Sequence, residues 1–366
     1  MSERRTQITV DDVEDLGVGC GILGTGGGGA TYAGELMAKQ VLGDRGPVPL
    51  VGLDDLPGDG LILPIGTIGA PTVSLEKLPA GTEPARLRAH VEERFDKPVV
   101  ALMPVEIGGS NGVKPVAFAS LLELPVIDGD AMGRAFPEVQ MVSMNVAGLP
   151  PGLVLLCDPH GNLATFEPTT DYWAERLART AAVAMGGSAV EIDYIMSVDE
   201  ARDHDAIVKG SITKAIEIGR ALRGRGAADG VQALVDHLGA HALIEGKVID
   251  VERRTSGGFV RGSVTVEGTG ADAGRLLRVE IQNENLAAFE DGRMLCCVPD
   301  LISLVDDQSG EAVPTEVLRF GQRVAVIALP CDPLWRSERG LQIAGPRAFG
   351  YDIDYVPVED ALARRA

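Results

Sequence analysis

Aromatic residues are scarce. Phe, Trp and Tyr make up 4% of the 366 residues, and only 2 are tryptophan, so a core must be built from Val, Leu, Ile and Ala. Positive charge is also short: 33 Lys and Arg stand against 53 Asp and Glu, a net charge of −20. That balance argues against nucleic-acid and membrane-surface partners, which need a cationic face. No apolar run reaches the length of a membrane span, and no secretory leader pattern precedes the first helical pattern. The 5 cysteines are odd in number and lack C-x-x-C spacing. A cytoplasmic protein with reduced thiols is the expectation. No Gly-Lys-Ser/Thr follows a glycine run, which removes the P-loop.

Glycine is abundant, at 46 residues, and it is concentrated. Glycines fall at 19, 21, 24 and 26–29. Such a run is costly in conformational entropy and makes sense where backbone passes close to something or adopts positive φ. A helix is expected over 30–42, so Gly26, Gly27, Gly28 and Gly29, beside Thr25, would set free N–H groups at a helix N-terminus. Gly24, Gly26 and Gly29 match G-x-G-x-x-G in letters. The segment before them has helical spacing (Val13, Leu16, Cys20), which opposes a dinucleotide fingerprint.

The length favours two domains. Apolar strand patterns at 48–53, 60–68, 98–105, 125–127, 140–146 and 153–156 alternate with helical patterns at 82–95 and 113–122. This predicts an α/β N-terminal domain with a largely parallel sheet over 8–168. Polar clusters follow the strand ends, where open α/β sheets bind ligands. The second domain, 169–366, opens with a helical segment, 171–240, whose helices are expected at 171–185, 206–222 and 227–238. From 241 to 358 the texture becomes short alternating runs between Gly, Asp and Asn turns: a β-rich α+β domain. Strands are expected there at 246–253, 258–267, 275–283, 294–304 and 323–329.

Four residues at strand ends suggest chemistry: Glu106, Asp128, Asp130 and Asp158. A carboxylate cluster could hold a divalent metal or supply a general base of raised pKa. His237 and His241 share i,i+4 spacing without an acidic neighbour and read better as a solvated face than as metal ligands. Cys331 lies between Pro330 and Pro333, where backbone N–H groups would lower a thiol pKa and make a nucleophile. Cys20, beside the glycine run, is the rival nucleophile, and His160 is the histidine best placed to assist.

Four stretches together resemble the S-methyl thiohydantoin desulfurase family, found beside hydantoinases. They are Leu23–Gly29, Pro104–Gly112, Asp128–Glu138 and Gly345–Tyr351. The resemblance spans nearly the whole chain. It implies hydrolysis at C2 of a five-membered thiohydantoin ring, with loss of methanethiol and formation of a hydantoin. On that reading Cys331 or Cys20 attacks, and Glu106, Asp128 or His160 moves protons. Thr25, the glycines 26–29, Asn111, Asp130 and Arg134 would bind substrate. No cofactor is expected, although a divalent metal on Glu106, Asp128 and Asp130 would suit a rival cyclic-amidase mechanism. The expected partners are a small-molecule substrate, further copies of the chain in a homo-oligomer, and a hydantoinase, for which the chain could instead be a non-catalytic subunit.

Overall fold

The computed structural model describes every residue except 1–3, 71, 72, 74, 75, 224, 226, 257, 258, 365 and 366. The first residue of the strand expected over 258–267 therefore lies outside the described residues, as do the glycines of the expected breaker at 223–226. The side chain of His237 is likewise outside them.

A mixed sheet of 9 strands forms the N-terminal unit. Its strands are β1 (Gln7–Ile8), β2 (Val48–Val51), β3 (Leu61–Gly69), β4 (Val99–Pro104), β5 (Val126–Ile127), β7 (Val154–Cys157), β8 (Leu163–Phe166), β9 (Ser188–Ile192) and β10 (Met196–Ser197). They run in the order β1-β2-β5-β4-β3-β9-β7-β8, with β10 beside β3. The centre, β2-β5-β4-β3, is parallel. Continuous apolar runs suit such strands, which are covered on both faces, and β3 and β4 are almost wholly buried. The flanking pairs are antiparallel. Strand β9, which follows residue 168, is inserted between β3 and β7, so the segment after 168 completes this sheet.

A two-stranded ribbon, β6 (Gly129–Asp130) with β11 (Val208–Lys209), ties the end of β5 to the chain before helix Ser211–Leu222. That helix starts at Ser211 and not at 206, because Val208 and Lys209 are spent on the ribbon. The expected strand at 140–146 is instead a turn and a short helix, Ser143–Val146. There Asn145 Nδ2 donates to the Gln140 carbonyl and Ser143 N–H to the Ala131 carbonyl, local bonds that compete with a ladder.

The β-rich unit is one antiparallel sheet of 7 strands in the order β16-β15-β14-β13-β12-β18-β17. Its strands are β12 (His241–Ser256), β13 (Phe259–Gly268), β14 (Leu276–Gln282), β15 (Glu284–Glu290), β16 (Arg293–Cys297), β17 (Leu301–Asp306) and β18 (Arg323–Leu329). The sheet curls until β15 and β16 also touch β17. The run expected as one strand over 294–304 is two, β16 and β17, because Pro299 has no N–H for a ladder. Among the described residues no helix is long and apolar enough to cross a membrane.

The main hydrophobic cluster is shared by the two units: Ile22 and Cys20 belong to it together with Leu286, Val298, Leu301 and Ile327. Helix Val13–Leu23 lies in this shared region and crosses helix Ser211–Leu222 at two glycines. A methyl group on Gly19 would lie 1.9 Å from the Ala215 carbonyl oxygen, and one on Gly219 the same 1.9 Å from that of Asp15. Backbone cannot yield as a flexible side chain would. Gly19→Ala and Gly219→Ala are each expected to destabilise the fold by about 1–3 kcal/mol in urea titration. Gly43→Ala, in open space on helix Tyr32–Arg45, should stabilise it by about 0.5–1 kcal/mol.

Candidate active site

The glycine run is clamped between the two units. Gly28 packs on Gly108, so that a methyl group on Gly28 would meet the Gly108 carbonyl oxygen at 2.2 Å, and one on Gly27 would meet Glu284 Oε1 at 2.0 Å. The loop mainly offers carbonyls. Those of Gly28 and Gly29 both accept from Ser110 N–H at 2.9 Å, that of Gly26 from Thr315 N–H at 2.8 Å, and that of Thr25 from Asn285 N–H at 2.7 Å. The following helix begins only at Tyr32, and Gly27 N–H donates to the Gly24 carbonyl. Thus the run does not form the first turn of its own helix, as the sequence suggested. Its carbonyls instead serve the N-terminus of the neighbouring helix, Ser110–Leu122, whose first N–H groups lack partners within the helix.

Arg134 fastens this arrangement. Its side chain is fully buried. Nη2 donates to Thr25 Oγ1 at 2.8 Å, Nη1 to the carbonyls of Pro299 (2.7 Å) and Asp300 (3.0 Å), and Nε to the Ala135 carbonyl at 2.8 Å. The guanidinium also lies 4.5 Å from the Phe136 ring centroid, a cation–π distance. One side chain therefore joins the glycine run, the 134–136 segment and the turn between β16 and β17. Burial pulls its pKa down to about 10, so it remains charged at neutral pH.

A cavity of about 210 Å³ opens between the units, walled by Gly28, Gly29, Phe136 and side chains of both. Glu106, beyond the end of β4, is held by Asn111 Nδ2, which donates to Oε1 at 2.6 Å. Asn111 itself brackets the Thr67 backbone, accepting from its N–H at 2.9 Å and donating to its carbonyl at 3.2 Å. Glu284, at the start of β15, reaches in from the β-rich unit. Glu138, Glu191 and Asp193 add further carboxyls, and Lys114 an amine. Burial raises the Glu106 pKa to about 8 and lowers that of Lys114 to about 8. Glu284 is pushed well above the usual carboxyl range by burial and by Glu106. Five polar atoms of the lining residues lack hydrogen-bond partners among the described residues: Thr67 Oγ1, Ser110 Oγ, Glu191 Oε1, Asp193 Oδ2 and Glu284 Oε2. Buried polar atoms are rarely left so, and water or a ligand can complete them.

The residues singled out from sequence divide into groups. Gly28, Gly29, Glu106 and Asn111 line the cavity. Thr25, Gly26, Gly27 and Arg134 stand behind it. Asp130 is buried and accepts N–H bonds from Ile107, Met132 and Gly133, with burial raising its pKa to about 7. Asp128 is turned away, accepting from Thr213 N–H (3.0 Å) and Oγ1 (2.6 Å) in the first turn of helix Ser211–Leu222. Asp158 closes its own turn with bonds from His160 N–H and Asn162 N–H, and the His160 side chain is exposed. Among the described residues no group of three or more His, Cys, Asp or Glu is arranged to hold a metal ion.

The thiols lie elsewhere. All 5 are buried, and none lines the cavity. Cys331 donates its N–H to Asp300 Oδ1 at 2.9 Å. Asp300 also binds Arg336, Tyr355 and the Val358 N–H. Burial and the Asp300 carboxylate push the Cys331 thiol up to about 12. This is the reverse of the fall expected from backbone N–H donors, because burial and the Asp300 carboxylate outweigh the Arg336 guanidinium beside the sulfur. Cys20 packs against Gly112, and burial raises its thiol well above the ordinary value.

Family comparison settles the kinship. The S-Me-THD-like N-terminal domain matches residues 11–168 and the S-Me-THD-like C-terminal domain residues 169–358. The chain belongs to the S-Me-THD-like family. Among curated proteins none matches it. The X-ray structure of a protein from Chromobacterium violaceum is similar, with 22% identity and a TM-score of 0.80 over 97% of this chain and 100% of that one; at that identity the likeness concerns the fold. Of the stretches that carry the S-Me-THD-like resemblance, the first three meet at the cavity, through Gly28 and Gly29, Glu106 and Asn111, and Phe136 and Glu138. Sequence reading passed over Lys114, Glu138, Arg179, Glu191, Asp193 and Glu284. A signal existed: Glu191 and Asp193 interrupt an apolar strand pattern at i,i+2, and Lys114 interrupts an apolar helix.

Two outcomes follow from these placements. Arg134→Leu would orphan the buried carbonyls of Ala135, Pro299 and Asp300, and is expected to cost about 3 kcal/mol or more in chemical unfolding. The raised Glu106 pKa also sets a sign. The native state keeps a proton up to about 8 that the unfolded chain releases near 4.5, so this carboxyl lowers stability as pH rises from 4.5 to 8. Glu106→Gln should flatten that part of a stability–pH curve.

Proposed function

We propose that this chain is a hydrolase of S-methyl thiohydantoins. Water adds to C2 of the five-membered ring, the C2–S bond breaks, and methanethiol leaves, so that a hydantoin is formed. Membership of the S-Me-THD-like family supports the substrate class. The observation that carries the reading is the pair of buried carboxyls, Glu106 and Glu284, meeting from opposite units beside the glycine run. Two carboxyls in one cavity can take opposite roles, one ionised and one protonated. Glu106, which titrates near 8, takes the proton from the attacking water. Glu284, held protonated, gives one to the departing methanethiolate and regains it from Glu106 before the next turnover. Asn111 fixes the Glu106 carboxyl for this transfer.

A water nucleophile is favoured over a thiolate by position. A thiol held neutral to about pH 12, outside the cavity wall, is badly placed and weakly nucleophilic. Methanethiol release from S-methyl thiohydantoin should fall about 10²- to 10⁴-fold in Glu106→Gln. Cys331→Ala should keep most of the activity. Loss of activity in Cys331→Ala with full activity in Glu106→Gln would reverse the assignment. Because the base must be ionised, kcat/KM should rise about tenfold per pH unit below 8 and level off above it.

A further inference from the structure

One wall of the cavity is not used by this chemistry. Glu191, in β9, and Asp193, just past its end, are two residues apart and so face the same side of the strand, while Val190 and Ile192 face the core. Both acids line the cavity. Their exposures are 9% and 2%, and Glu191 Oε1 and Asp193 Oδ2 have no hydrogen-bond partner among the described residues. The nearest cation is already committed. Arg179 holds Glu175 through Nε (2.7 Å) and Nη2 (3.1 Å), gives a further bond to the Pro137 carbonyl, and stacks 4.4 Å from the Phe259 ring centroid. Glu138, across from them, accepts from Gln140 and Gln282. Lys114, the other cation on the wall, forms no ion pair among the described residues. Two acids of the cavity wall thus each keep an unpartnered oxygen, and the only cation acting on them, Arg179 on Glu191, is bonded to Glu175.

We propose that Glu191 and Asp193 form a subsite for a cationic, planar N–H donor group on the ligand, of the amidinium or guanidinium class. In the ring-hydrolase reading, on which this rests for the substrate itself, the cation is carried by the ring substituent. Two carboxyls on one side of a strand can each take an N–H of such a fork. Every titratable neighbour bears on the proton balance: Asp193 and Glu175 oppose ionisation of Glu191, and Arg179 favours it. Burial and Glu175 raise Asp193 to about 8, so the free pair keeps its protons at neutral pH. A cation favours the ionised form, so binding releases protons and tightens as pH rises toward 8.

The test uses the full chain and three probes of one shape: benzamidinium, benzamide and benzoate. Calorimetry in buffers of different ionisation enthalpy reads affinity and proton release together. Benzamidinium is expected to bind about tenfold or more tighter than benzamide, with proton release at pH 7 and no measurable binding of benzoate. Glu191→Gln with Asp193→Asn should remove the preference and the proton release. Equal binding of the three probes, or benzamidinium binding without proton release in the wild-type chain, overturns the subsite even if the variants fail to fold. The two proposals fail separately. Methanethiol release without preference for cationic ring substituents overturns the subsite alone, whereas selective benzamidinium binding without methanethiol release overturns the ring reaction alone.

Discussion

The buried guanidinium of Arg134 is the constraint on which the site depends. A charge with no carboxylate in direct contact is expensive in a protein interior unless its donors are satisfied. Here carbonyls from separate segments and one hydroxyl satisfy them. Those acceptors belong to the glycine run, the 134–136 segment and the turn that opens β17, so one side chain ties the two units together beside the backbone bonds from Asn285 and Thr315 to the glycine run. The glycine run then comes within van der Waals contact of residues 108–109 on one side and Glu284 on the other. A methyl group on Gly26 or Gly27 would strike Asn285, Thr315 or Glu284 of the β-rich unit.

Once the units close, their acids are trapped. Glu106 comes from a strand end of the parallel centre, Glu284 from the β-rich sheet, and Glu191 with Asp193 from the strand that the later part of the chain inserts into the first sheet. Desolvation is the largest influence on each of these carboxyls. Burial consequently favours the protonated form of each of them. That is the condition in which a carboxyl can donate as well as accept, and it is the physical link between the packing of glycines and acid–base chemistry.

Much of this was legible from residues alone, for definite reasons. The alternation of apolar strands and helices marked the α/β unit, and the change to short alternating runs after 241 marked the curled sheet. Gly28, Gly29, Glu106 and Asn111 stood in glycine-rich clusters whose composition announced close approach. What was hidden depends on long-range pairing. Nothing local shows that β9 enters the first sheet, so the acids at 191 and 193 could not be joined to Glu106. The role of the glycine carbonyls toward Ser110 was hidden for the same reason. For Cys331, the proline brackets describe local backbone only. The sulfur's surroundings are set by Asp300, 31 positions away in sequence.

The most direct measurement is infrared difference spectroscopy of the full chain against pH, following the C=O stretch of protonated carboxyls. If burial between the units controls these groups, protonated carboxyl signal persists at pH 7, part of it disappears as the pH passes about 8, and that part is missing from Glu106→Gln. A spectrum in which all carboxyls are ionised by pH 6, or one in which Glu106→Gln removes nothing, contradicts it.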